Sequence, residues 1–61
     1  MPVETVIQES FAYGAEAGWD KRKQTEMAAC VVLRVRPDWS AHQALSAVDW
    51  VRSLEAQAPR S

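Results

Sequence analysis

The sequence predicts a small, mainly α-helical domain of two or three helices. Apolar residues recur at helical spacing over residues 3–18 and again over residues 41–57, and a capping signal precedes the second stretch. A further apolar element covers residues 27–36. A chain of 61 residues forms one domain, 1–61, and we expect the tail at 58–61 to fray.

The first element is expected to be a helix over residues 3–18. Its apolar residues share one side of a 3.6-residue repeat, and its acidic residues cover the other side. Gly14 and Gly18 fall on the apolar side, although each glycine costs a helix about 1 kcal/mol relative to alanine. The pair could permit the close approach of a second backbone, and the alternative, which we expect, is that Gly18 ends the helix as a C-cap.

Residues 27–36 are ambiguous between helix and strand. In a helix their apolar side chains point in every direction, so the helix would need burial on nearly all sides. In a strand Val31, Leu33 and Val35 share one face, and β-branched residues favour this from about residue 30. The alternative fold is therefore α+β, with one short strand near 30–36 paired across a dimer or to a partner. The polar segment 20–26 is a loop or an exposed helical turn, and Pro37 ends the element.

The third element is expected to be a helix over residues 41–57. Ser40 is a favoured N-cap residue, and Gln43 three residues later completes a capping box. Trp50 falls at the edge of the polar arc of this helix and not at the centre of its apolar stripe.

The charges are sorted along the chain. Residues 1–20 carry four acids and no base, which gives a net charge of −4, and residues 21–36 carry +4. The remainder carries −1, so the whole chain has a net charge of −1. Opposite patches of this kind can neutralise each other within one fold, join two copies, or meet a charged partner.

The candidate interface residues follow from the tryptophans and the basic cluster. Tryptophan and arginine are enriched at protein-binding hot spots, and a chain this short needs external support for its small core. We therefore predict a protein partner or self-association, with a homodimer as one form. The predicted protein interface comprises Trp50, Trp39, Trp19, Arg34 and Arg36. Possible nucleic-acid contacts, a less favoured reading in a chain of pI about 5.7, are Lys21, Arg22 and Lys23.

Catalytic, cofactor and metal sites are not predicted. One cysteine and one histidine are too few for a structural zinc site, and we expect Cys30 to be an inert buried thiol. An enzyme needs an enclosed pocket that 61 residues can hardly build, so we expect no small-molecule substrate. The N-terminus lacks the pattern of a signal peptide and no apolar run could cross a membrane, which predicts a soluble, cytoplasmic protein.

Two segments bear a resemblance to short microbial proteins. The segment from Tyr13 to Asp20 resembles a pattern in short helical proteins encoded by phages. The segment from Arg34 to Leu45 resembles a strand-turn-helix of short bacterial proteins. The resemblance implies a phage or mobile-element accessory protein and transfers no functional residue.

Together these features predict a non-enzymatic interaction module. It would act as a small adaptor or inhibitor that docks on a larger host protein or assembly. The alternative is a small nucleic-acid-binding or transcription-regulating protein that uses the basic segment 21–36.

Overall fold

Three α-helices make up the fold over residues 2–57. The computed structural model describes residues 2–57, in which α1 spans Val3–Ala17, α2 spans Lys21–Val35 and α3 spans Ala41–Gln57. No strand occurs over these residues, so the predicted mainly α, three-helix domain is confirmed and the α+β alternative is wrong. The predicted fraying at 58–61 lies outside the described residues.

Gly18 ends α1 as predicted. Its φ of 78° lies in the left-handed region, which glycine adopts without steric cost. The Gly18 amide donates to the carbonyl of Ala15 at 3.3 Å, and the Trp19 amide donates to the carbonyl of Gly14 at 2.9 Å. These bonds satisfy carbonyls that the end of a helix leaves without partners, so the last helical residue is Ala17.

Gly14 is required by close packing against side chains. A Cβ atom at this position would lie 2.9 Å from both Gln24 Cγ and Trp19 Cε3, which is shorter than van der Waals contact. The Gln24 side chain is held there because its Nε2 donates to the carbonyl of Trp19 at 3.0 Å. Side chains therefore approach Gly14 closely, whereas the approach of a second backbone to the Gly14–Gly18 pair, the alternative to the C-cap, is wrong.

Helix α2 begins at Lys21, six residues before the predicted start of the second element. Asp20 caps it, since its carboxylate accepts from the Lys23 amide at 2.8 Å. Within the first two turns Arg22 pairs with Glu26 at 3.1 Å, at the i, i+4 spacing that supports helices. The polar segment 20–26 therefore supplies the N-cap and first turns of α2. Residues 30–35, for which a strand was the alternative, continue the same helix.

The buried face of α2 is narrow. Only Ala28, Ala29 and Val32 are buried, whereas Met27 and Cys30 are exposed. The expectation that a helix here must be buried on nearly all sides is wrong, because its apolar residues extend onto the surface. The expectation of a buried Cys30 thiol is wrong for the same reason.

Helix α3 begins with the predicted capping box. The Ser40 amide donates to Gln43 Oε1 at 2.8 Å, and the Gln43 amide donates to Ser40 Oγ at 3.2 Å. The two residues thus satisfy each other's backbone donors, which fixes the start of the helix at Ala41.

The core lies where the three helices meet and consists mainly of small and β-branched side chains. Contact is most extensive between α1 and α2 and least extensive between α1 and α3. Arg52 covers the looser side: its guanidinium lies 4.5 Å from the centre of the Phe11 ring, and its Nη2 donates to Thr25 Oγ1 at 3.1 Å. The main core cluster comprises Ile7, Phe11, Ala28, Ala29, Val32, Ala44, Val48 and Val51.

Candidate interaction surfaces

An apolar groove runs between α1 and α2 on the side of the pair that faces solvent. Its volume is about 330 Å³ and most of its exposed lining is apolar. Tyr13 forms part of its wall and is 66% exposed, while Val35 at the other end is 36% exposed. We call this feature the α1–α2 groove; it is lined by Val6, Glu9, Ser10, Tyr13, Val31 and Val35.

Charges of opposite sign flank the α1–α2 groove. Glu9 lines the groove on α1, and Glu16 lies seven residues further along the same side of that helix. On α2 the exposed Arg34 stands beside Val31 and Val35, on the side that faces away from the core. The ion pairs among residues 2–57 join Arg22 to Glu26 and Arg36 to Asp38, so Glu9, Glu16 and Arg34 have no partner there.

A second apolar patch lies on α3. Trp50 is 55% exposed and Leu54, one turn later, is 40% exposed. We call these two residues the Trp50 patch. They lie at i and i+4 and thus present adjacent side chains on one side of the helix. The sequence places Trp50 at the edge of the polar arc, and the structure leaves its indole largely in solvent.

Trp39 and Trp19 are half-buried at opposite ends of the helices. Trp39 packs against the core cluster, and the Arg36 guanidinium lies 5.1 Å from the centre of its ring. Trp19 meets Tyr13 edge-on at a centroid distance of 5.4 Å, with the Lys23 ammonium 4.9 Å from its ring. Both indoles therefore have partners within the chain, unlike the exposed indole on α3.

Arg36 is tied to the turn between α2 and α3. Its Nη2 donates to Asp38 Oδ2 at 3.2 Å, and its Nε donates to Asp38 Oδ1 at 3.3 Å. The hydrogen bonds from Arg36 lower the pKa of the Asp38 carboxyl, and the same pair raises the pKa of the guanidinium. The two predicted interface arginines therefore differ. Arg36 is paired with Asp38 in the turn, whereas Arg34 is exposed on α2.

The basic residues Lys21, Arg22 and Lys23 form the first turn of α2. All three are exposed. Positive charge at the N-terminus of a helix opposes the helix dipole, an arrangement that costs a few tenths of a kcal/mol per charge, up to about 1 kcal/mol. The Asp20 cap and the Arg22–Glu26 pair offset part of this cost.

Sequence reasoning missed the α1–α2 groove as a unit. From the sequence, Tyr13 falls in the first expected helix and Val31 and Val35 fall in an element that is ambiguous between helix and strand, whereas the surface exists only where two antiparallel helices meet. A signal was available: once Asp20 is read as an N-cap, Met27, Val31 and Arg34 fall on one side of a helix at spacings of four and three residues.

Other chemistry is sparse in the described part of the chain. Residues 2–57 hold no group of three or more histidine, cysteine, aspartate or glutamate side chains placed to bind a metal ion. Among the same residues no helix has the length and apolar character needed to cross a membrane. Comparison with protein-family models, curated proteins and solved structures finds no significant match.

Proposed function

We propose that the protein is a non-enzymatic protein–protein interaction module that docks on a larger protein or assembly through the Trp50 patch. The observation that carries this proposal is the exposed Trp50 indole with Leu54 one turn away. Tryptophan is the side chain most often found at binding hot spots, and truncating one commonly costs at least about 2 kcal/mol of binding free energy.

The arrangement of the patch supports recognition of α3 as a helix. Anchors at i and i+4 on one side of a helix are read by an apolar groove of the partner, and a capped, preformed helix loses little entropy on binding. The Ser40–Gln43 capping box and the buried Val48 and Val51 hold α3 in place before any partner arrives. A role as adaptor or inhibitor in the cytoplasm, as in a phage or mobile-element protein, is part of the same proposal.

Capture of partners from the native host with tagged variants tests the proposal. We expect Trp50→Ala to lower recovery of the partner about 30-fold, the equivalent of about 2 kcal/mol. The matched control is Leu45→Ala, because Leu45 is 41% exposed on the same helix and lies outside the patch. Recovery with this control should stay within about twofold of the parent chain.

Equal recovery of every captured protein with Trp50→Ala and with the parent chain would contradict the proposal. Both substituted residues are exposed, so we expect both variants to fold. Circular dichroism of each variant checks this and separates lost binding from lost folding.

A second function, nucleic-acid binding through the start of α2, is favoured by one observation. Lys21, Arg22 and Lys23 crowd the positive end of a helix dipole, where they lower stability, and local cost of this kind is often found at functional sites. The counterargument is that Arg22 and Lys23 already have intramolecular partners in Glu26 and Trp19.

Fluorescence anisotropy with labelled DNA and RNA at low salt tests this second function. Binding should weaken steeply with salt and disappear when Lys21, Arg22 and Lys23 are changed together to alanine. The control changes three exposed polar residues on the other helices, Gln8, Ser46 and Ser53, together to alanine and should leave binding within about twofold. Absence of binding by the parent chain at low salt would reject the function.

A further inference from the structure

We propose that the α1–α2 groove is the docking site for a second copy of this chain, and that the two copies form an antiparallel four-helix bundle. This inference deepens the proposed interaction function by assigning a partner to the surface that the Trp50 patch leaves free.

The charges that flank the groove select a second copy as its occupant. Glu9 and Glu16 follow α1 on one side, and Arg34 stands on α2 on the other side. None of the three has an ion-pair partner among residues 2–57. A surface with acid on one helix and base on its neighbour is complementary to itself, because exchanging the two helices exchanges the two signs.

The sign pattern also fixes the symmetry. A two-fold axis parallel to the helices sets α1 of one copy against α2 of the other, so acidic and basic sides meet. An axis perpendicular to the helices would set α1 against α1 and bring like charges together, which is unfavourable. Since α1 and α2 are antiparallel within the chain, the favoured axis makes every neighbouring pair in the bundle antiparallel, as in up-down four-helix bundles.

The register between α1 and α2 brings Glu9 of one copy close to Arg34 of the other. Gly14 lies against Gln24, and Val6 faces the groove with Val31, so Glu9 and Arg34 lie about two helical turns or less apart along the axis. Side chains lean toward the N-terminus of their own helix. Glu9 of one copy and Arg34 of the other therefore lean toward each other across the interface.

The apolar contribution comes from the groove itself. Tyr13, Val31 and Val35 of both copies would be removed from water, and the apolar lining offers few polar groups that would lose hydration. Each 15-residue helix is about 22 Å long and about 10 Å across, so the shared face lies at the small end of specific interfaces. We expect a weak dimer of the kind that small interfaces form, with a dissociation constant on the order of 10–100 µM.

Sedimentation equilibrium of the untagged chain, from about 5 µM to about 1 mM at low salt, tests the proposal. The parent chain should fit a monomer–dimer equilibrium. Val35→Glu should raise the dissociation constant at least about tenfold, because it introduces a charge into the groove. The matched control Leu45→Glu places the same charge at a residue of similar exposure on α3 and should change the constant by less than about twofold.

A charge exchange tests the symmetry separately. Glu9→Arg and Arg34→Glu should each weaken dimerisation about threefold or more, and the double variant should recover to within about twofold of the parent chain. Failure of the double variant to recover would overturn the proposed pairing of α1 with α2 of the second copy.

A parent chain that remains monomeric at 1 mM, or a dimer weakened by Leu45→Glu and not by Val35→Glu, would overturn the docking of a second copy. A different result would contradict the proposed interaction function, namely that the Trp50→Ala variant captures partners as well as the parent chain does. A third outcome also rejects the second copy. The parent chain is monomeric and captures a different protein, and the Val35→Glu variant no longer captures it, so the groove binds that protein.

Discussion

The two faces of α2 use apolar residues in opposite ways. Its inner face presents Ala28, Ala29 and Val32, all buried, and these small side chains let the three helices approach closely. Its outer face carries Met27 and Val35, which remain 39% and 36% exposed although they are no less apolar. The composition of the inner face explains the fold, and the apolar residues of the outer face are the basis of the proposed docking of a second copy.

The strongest test of this comparison changes neighbouring residues on opposite faces of α2. Ala28→Leu forces three extra carbons into a fully buried position and should cost about 3 kcal/mol, much of the stability of so small a domain. Met27→Leu, one residue earlier and exposed, should change the free energy of unfolding by less than about 0.5 kcal/mol. Urea denaturation followed by circular dichroism at low protein concentration measures both, and equal losses would contradict the assignment of the two faces.

A smaller effect is expected where α1 meets the start of α2. Gly14→Ala gains about 1 kcal/mol of helix propensity but drives a Cβ into Gln24 and Trp19, so we expect a net loss of about 1 kcal/mol. The same substitution should cost less in a Gln24→Ala background, since one of the two obstructing side chains is then gone. A stabilising Gly14→Ala would show that these side chains move aside freely.

The capping box at the start of α3 should contribute a comparable amount. Ser40→Ala removes the acceptor of the Gln43 amide and should lower the free energy of unfolding by about 1 kcal/mol. Ser46→Ala, an exposed change inside the same helix, serves as the control and should be neutral or slightly stabilising. Equal effects of the two changes in thermal denaturation would argue against the cap.

The smallest effect concerns Asp38, whose pKa is lowered by its hydrogen bonds with Arg36. Its contribution to stability is present in full above the ordinary pKa of 3.8 and is lost as the pH falls through the lower folded value. The parent chain should therefore lose slightly more stability than Asp38→Asn between neutral pH and acid. Identical acid profiles of the urea midpoint for the two chains would contradict the role of this pair.

Local signals account for what the sequence predicted well. Gly18, Ser40 and Gln43 act through neighbouring backbone groups, so the end of α1 and the start of α3 follow from spacing alone. The predicted start of the second element at residue 27 is wrong, because the charged run at 21–23 fits a loop as well as a helical turn, whereas Asp20 caps a helix there.

The candidate surfaces were predictable only in part. Trp50 stood out because its position in a single helix determines its exposure. The α1–α2 groove depends on the register between two helices, and the β-branched residues of α2 favoured a strand when taken alone. Tertiary packing overrode that local preference, and no pattern within one element could reveal Tyr13 and Val35 as parts of one surface.

The most direct test of the central claim is a concentration series of amide NMR spectra of the parent chain, from about 20 µM to about 2 mM. Assembly through the outer face of the α1–α2 pair predicts progressive shifts at Tyr13, Val31 and Val35, with Leu45 and Trp50 nearly unchanged. Spectra that do not change with concentration, or shifts confined to α3, would contradict the account.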